Sequence, residues 1–134
     1  MDGGCCCGAV RYWIDGAPSR TTSCHCGHCR RASGAPFVTW IEVESSQFVL
    51  VKGALSRYES RPKVVRQFCA SCGTQLTYWH ADEPDVLDVT ASSLDTLDPV
   101  TPEDHVWCDR MAPWIVLADG LPRYSRGKYD SEGD

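Results

Sequence analysis

Cys24-His25-Cys26-Gly27-His28-Cys29 places three thiols and two imidazoles within six consecutive residues. Thiols this close can converge on one ion if the chain wraps around it and Gly27 supplies the bend. Three protein ligands and one exchangeable position are the arrangement of a catalytic zinc, whereas four ligands close the site. At an open three-thiolate zinc, an incoming thiol would take the fourth place, lose its proton and stay bound as a nucleophile. Polarising a carbonyl suits such a site less, because three thiolates donate strongly to the metal and weaken it as a Lewis acid. A histidine squeezed between two ligating cysteines turns its ring away from the metal in an extended segment, so His25 is a poor fourth ligand. His28 is a better one and would close the site. Arg30 and Arg31 follow directly. They can neutralise thiolate charge, hold an anionic substrate, or do both.

A second set of thiols has the spacing of a structural site. Cys69-Ala70-Ser71-Cys72-Gly73 is a zinc knuckle in form, with a glycine free to take positive φ so that backbone N–H groups point at sulfur. Two thiols cannot complete a tetrahedron, and Cys5-Cys6-Cys7 offers the partners. In an extended segment Cys5 and Cys7 share one face and Cys6 points the other way. Cys5, Cys7, Cys69 and Cys72 are therefore expected to hold one structural zinc, tying the N-terminus to the middle of the chain. Structural zinc contributes on the order of 10 kcal/mol to folding, comparable to the whole stability of a small domain. Eight of the nine cysteines thus fall into three groups, and Cys108 stands apart. Cys6 and Cys108 are read as an outward thiol and a buried small apolar residue.

The elements that must position these residues read as strands. The chain has 134 residues, 43% of them apolar and 23% charged, which bounds it to one domain. Short β-branched and aromatic runs are divided by Gly, Pro and Asp. Strands are expected at Ala9–Asp15, Phe37–Val43, Phe48–Lys52, Leu55–Glu59, Val64–Phe68, Gln75–His80 and Val86–Ala91. One helical turn is expected over Gly27–Ser33, immediately after Cys26. Asp98-Pro99-Val100-Thr101-Pro102 reads as an irregular loop, since closely spaced prolines stop helix and central strand alike. The fold class is mainly β: a small zinc-stabilised domain of short antiparallel sheets with little helix. It spans 1–124, followed by a polar, solvated tail at 125–134.

Charge and composition exclude other classes. The formal net charge of −5 opposes sequence-independent nucleic-acid binding. No run approaches a membrane span, and Met1-Asp2-Gly3-Gly4-Cys5 lacks the basic and apolar regions of a leader. A cytoplasmic protein with reduced thiols is expected, so its clustered cysteines read as metal ligands before disulfides. Trp40, Trp79, Trp107 and Trp114 read mostly as core material, with His105 and Trp107 as candidate walls for a pocket. Asp119-Gly120-Leu121-Pro122 reads as a turn and not as a source of a catalytic base.

Taken together, Gly3-Gly4-Cys5-Cys6-Cys7-Gly8-Ala9-Val10-Arg11-Tyr12, Cys24-His25-Cys26-Gly27-His28-Cys29-Arg30-Arg31 through Phe37, and Phe68-Cys69-Ala70-Ser71-Cys72-Gly73-Thr74-Gln75-Leu76 resemble the glutathione-dependent formaldehyde-activating enzyme family, whose domain is shared with centromere protein V. The likeness runs over residues 3–124, including His105-Val106-Trp107 and Asp119 to Tyr124. It implies a tent-like β fold built on the structural zinc, with the second zinc held by Cys24, Cys26 and Cys29. It also implies a carbon–sulfur lyase that condenses formaldehyde with glutathione to S-hydroxymethylglutathione. The substrate thiol would meet the second zinc, and its carboxylates would meet Arg30 and Arg31. Two other readings stand beside this one. In the first, the domain is a non-catalytic binding module whose second metal site is closed. In the second, it is a redox sensor in which one thiol of Cys24–Cys29 is reversibly metal-free.

Overall fold

In Val38–Glu44, Ile41 and Val43 are fully buried, while Glu42 between them is only half covered. That alternation is what a strand needs to put an apolar face on a core and a polar face elsewhere. A computed structural model describes residues 1–129 and arranges the chain as ten strands and one α-helix. The strands are β1 (Asp2–Gly4), β2 (Arg11–Ile14), β3 (Arg20–Cys24), β4 (Val38–Glu44), β5 (Phe48–Lys52), β6 (Leu55–Arg61), β7 (Val64–Cys69), β8 (Gln75–His80), β9 (Val86–Thr90) and β10 (Asp104–Val106). The helix α1 spans Gly27–Ser33. Residues 130–134 of the expected tail lie outside the described part. The backbone carbonyls of Ser125 and Arg126 accept hydrogen bonds from Asp109 and Trp107.

Two sheets result. The smaller has the order β1-β2-β5, and the larger runs β10-β3-β4-β9-β8-β7-β6. Every neighbouring pair is antiparallel except β10 with β3, which is parallel, so the larger sheet is mixed. The sheets meet over one core. Val10, Tyr12 and Ile14 pack with Ile41, Val43, Leu87 and Val89, and Leu76, Leu94 and Cys5 complete the cluster. Burying each large aliphatic side chain contributes about 1.5–3 kcal/mol, so this layer is the main apolar source of stability. Pairing of β7 with β8 skips Leu76, which goes into the core while Tyr78, two residues on, faces the other way.

Three strands, β1, β3 and β10, were not expected. Asp-Gly-Gly and Arg-Thr-Thr-Ser-Cys lack the aliphatic residues that mark a strand. The first is placed by close approach: a Cβ on Gly3 would stand 2.3 Å from the Tyr12 ring. Among the described residues, no helix is long and apolar enough to cross a membrane.

Candidate metal centres and the pocket beside them

Cys5-Cys6-Cys7 is a tight turn, not the extended segment expected. Gly8, at φ 80°, donates its N–H to Cys5 O at 3.2 Å. Gly73, at φ 77°, does the same to Cys69 O at 2.8 Å, so two similar turns present their sulfurs to each other. Cys5, Cys7, Cys69 and Cys72 bring their Sγ atoms within 4.8 Å of one another. Two of the separations are 3.6 Å (Cys5 to Cys7) and 3.8 Å (Cys7 to Cys69). A tetrahedron with metal–sulfur bonds of about 2.3 Å has an edge of roughly 3.8 Å, so the donor set fits zinc. Backbone and hydroxyl groups are already aimed at the sulfurs. Val10 N–H donates to Cys5 Sγ at 3.2 Å, and Thr74 Oγ1 lies 3.1 Å from Cys72 Sγ. The Thr74 hydroxyl, helped by its backbone N–H, draws the Cys72 thiol down to about 5. Cys6 is exposed and does not belong to this converging group.

The other sulfurs are gathered by a strand end and a helix start. Cys24 closes β3, Cys26 caps α1 through its Sγ, which accepts from Cys29 N–H at 3.3 Å, and Cys29 is the buried residue of that helix. α1 stops at Gly34, whose φ of 68° lets its N–H reach Arg30 O. The Sγ atoms of Cys24, Cys26 and Cys29 also converge within 4.8 Å, a three-thiol set that fits zinc equally well. Hydrogen bonds shared among them, led by Cys24 to Cys26, pull the Cys26 thiol far below its usual range and push Cys24 above it. His28 lines the adjoining pocket but does not belong to the converging group.

His25 turns the other way and is completely buried. Its Nε2 meets His105 Nδ1 at 2.8 Å, and His105 Nε2 meets Asp119 Oδ2 at 2.7 Å. His25 N–H also donates to Val106 O, so both side chain and backbone of this residue pin the Cys24–Cys26 loop to β10. His105 therefore supports the loop and does not line the pocket. Asp119 does form the expected turn, accepting from Leu121 N–H, but its second oxygen anchors the histidine pair. Trp107 does line the pocket, from a left-handed backbone with φ 57°. Such a conformation is costly for a non-glycine residue and is held only where its surroundings fix it. Cys108 stays outside both thiol groups. Trp40 is buried, whereas Trp114 is 70% exposed and contributes nothing to the core.

A cavity of about 650 Å³ opens beside the three-thiol group. Its wall is the face of the larger sheet turned away from the core. Strand register puts Arg20 opposite Glu42, Glu42 opposite Asp88, Asp88 opposite Tyr78, and Tyr78 opposite Arg66, a continuous row across five strands. All five line the cavity, as do Arg30, Arg31, Arg61 and Arg110. Arg30 and Arg31 are themselves exposed, at the edge of the site. Arg66 is only 5% exposed and reaches the three-thiol group directly, with Nη2 3.6 Å from Cys29 Sγ and its guanidinium 5.0 Å from the Tyr78 ring centre. Sequence reading missed this row. An arginine inside the apolar run Val64–Phe68 was the available signal, but register alone reveals its neighbours.

Comparison with known proteins agrees with this architecture. A Rhodobacter sphaeroides protein of known crystal structure superposes with a TM-score of 0.64 at 23% identity, covering 92% of this chain and 99% of its own. A Halomonas elongata protein that carries, provisionally, the name of glutathione-dependent formaldehyde-activating enzyme is 26% identical over 126 residues, covering 87% of this chain and 80% of its own. The family model described as glutathione-dependent formaldehyde-activating enzyme matches residues 1–110, a stretch that holds both thiol groups and every strand. On that match, the chain belongs to the glutathione-dependent formaldehyde-activating enzyme family.

Proposed function

We propose that this protein is a carbon–sulfur lyase of the formaldehyde-activating type, which binds glutathione or a similar small thiol and joins it to an aldehyde such as formaldehyde. The observation that supports this best is the setting of Cys24, Cys26 and Cys29: three converging sulfurs, no fourth donor in the group among the described residues, and an arginine-rich cavity alongside. Two zinc ions per chain fit the two thiol groups. The zinc at Cys5, Cys7, Cys69 and Cys72 would be structural, and the one at Cys24, Cys26 and Cys29 would keep a bound substrate thiol ionised at neutral pH.

The chain's own residues supply the rest. Arg66, beside Cys29 Sγ, offsets the negative charge that accumulates when several thiolates crowd together. Arg30 and Arg31, at the edge of the cavity, are placed to take carboxylates of the incoming thiol. Trp40 and Trp107 line the cavity with apolar surface, and the lower local dielectric beside it strengthens the contact of Arg66 with the sulfurs. His25 is committed to His105, so the loop between Cys24 and Cys26 is held by a side chain that takes no part in binding. Cytoplasm, where glutathione is abundant and thiols stay reduced, is the compartment that suits this chemistry.

Cobalt substitution tests the reading without relying on turnover. Glutathione added to the cobalt-loaded protein should give a saturable change in the visible and thiolate charge-transfer bands, and Cys26→Ser should abolish it. A spectrum indifferent to millimolar thiol would mean that the second centre is closed, and a non-catalytic binding module would take this reading's place.

A further inference from the structure

Most of the charged row along the cavity wall is not used by thiol binding at Cys24, Cys26 and Cys29. Both of its ends, Arg20 and Arg66, are basic, and the acids Glu42 and Asp88 lie between them. Arg66 is about nineteen-twentieths buried, yet Nε and Nη1 have no hydrogen-bond partner among the described residues, although Nη2 faces Cys29 Sγ. Buried guanidinium donors left unpaired are expensive, and a carboxylate is the group that satisfies two of them at once. The carboxylate of Asp88, two strands away across Tyr78, takes no hydrogen bond from any described residue, and Asp88 sits directly opposite Glu42. Like charges opposite each other on adjacent strands are unfavourable unless a cation joins them. Arg20, at the far end of the row, does not serve fully, because its guanidinium is engaged with Asp104 through Nη2. Burial and the neighbouring Glu42 push the Asp88 carboxyl up to about 7, as expected of an acid waiting for a positive partner.

We propose that Arg66 and the Asp88–Glu42 pair form a subsite for an α-amino acid end group, Arg66 taking its carboxylate and the two acids its ammonium. The Arg66 guanidinium lies over the ring of Tyr78, the residue that pairs with Asp88, so the two charges flank one aromatic platform. Adjacent strands are about 4.8 Å apart, which puts the Arg66 and Asp88 backbones roughly 10 Å apart with a long side chain reaching in from one of them. The inference rests on the thiol-binding reading and deepens it. The preferred substrate is a thiol that carries a free amino-acid terminus, such as the γ-glutamyl end of glutathione, and simple mercaptans are disfavoured. Arg30 and Arg31 are then left for a second carboxylate elsewhere on the same molecule.

Calorimetric titration of the zinc-loaded protein with S-methylglutathione isolates this subsite, because that compound keeps the ammonium and both carboxylates but has no free thiol. It should bind, its N-acetyl derivative should bind at least tenfold more weakly, and Asp88→Asn should erase the difference between them. Equal binding of the two compounds, no binding of either, or unchanged discrimination in Asp88→Asn would overturn the subsite. Asp88→Asn removes a repulsion and should fold; Glu42→Gln provides a second variant with the same expected loss of discrimination. The two readings fail separately. A cobalt spectrum that responds to glutathione without discrimination among the S-methyl compounds retains the thiol centre alone. Discrimination with a silent cobalt spectrum retains the amino-acid subsite alone.

Discussion

Cys6 sits between two cysteines whose sulfurs converge with those of Cys69 and Cys72, yet its own side chain is exposed and only its backbone N–H is engaged, by Thr74 Oγ1 at 3.0 Å. Cys69, by contrast, is 1% exposed and packs in the main core as well as joining the sulfur group. Cys6→Ser should change stability by no more than about 0.5 kcal/mol, as surface substitutions usually do. Cys69→Ser should lose structural zinc and most of the fold with it, because metal-linked folding energy of about 10 kcal/mol is comparable to the stability of a small domain. Zinc content and urea unfolding of the two variants, side by side, check this; a Cys69→Ser protein that kept its zinc and its midpoint would refute it. At this scale the sequence was most legible. Cysteine pairs two or three residues apart must share a local turn, so their spacing carries the information. Arg66 and Asp88 carry none in isolation: each is one polar letter in a strand, and only register brings them to one wall.

Strands explain both what could be read and what could not. β4, β7 and β8 contain aliphatic or aromatic residues at strand spacing, and their expected limits differ from the observed ones by no more than one residue. β3 and β10 owe their places to tertiary contacts instead: an antiparallel partner on one side of β3, a parallel one on the other, and the His25–His105–Asp119 chain between them. The pairing of β4 with β9 has an energetic consequence, since it places Glu42 opposite Asp88. Desolvation by burial raises the Asp88 pKa first, Glu42 and Glu83 add to it, and Arg20 opposes them. A carboxyl whose folded pKa lies above its unfolded value of about 3.9 binds more protons when folded, so its contribution to stability falls as pH rises from about 4 to about 7. Because Asp88 is largely covered, the penalty at pH 8 is on the order of 2–4 kcal/mol. Asp88→Asn should therefore stabilise the protein at pH 8, and the gain should shrink below pH 5. Thermal or urea midpoints of both proteins across that range measure it, and a gain independent of pH would show that Asp88 is ionised alike in the folded and unfolded chain.

Across the whole molecule, the two thiol groups hold different amounts of the fold. Cys5 and Cys7 lie ahead of the first long strand, and Cys69 ends β7 with Cys72 in the turn to β8, so a metal shared by them would close a loop of more than sixty residues through both sheets. Closing a loop that long removes a large part of the unfolded chain's freedom. Cys24, Cys26 and Cys29 span six residues, and their surroundings are fixed independently by the helix cap on Cys26, the pairing of β3 with β4, and the bond from His25 to His105. Metal at the second group therefore adds little to the fold, and it has one fewer protein ligand to retain it. Titration with a zinc chelator should accordingly proceed in two steps. The first equivalent should leave from Cys24, Cys26 and Cys29 with the far-ultraviolet spectrum unchanged and the response to thiol lost. The second should leave only with cooperative loss of the β signal, since binding energy at that site is folding energy. Simultaneous release of both ions would place the three-thiol group within the folding unit of the other. Early unfolding with the thiol response intact would reverse the assignment of structural and open sites.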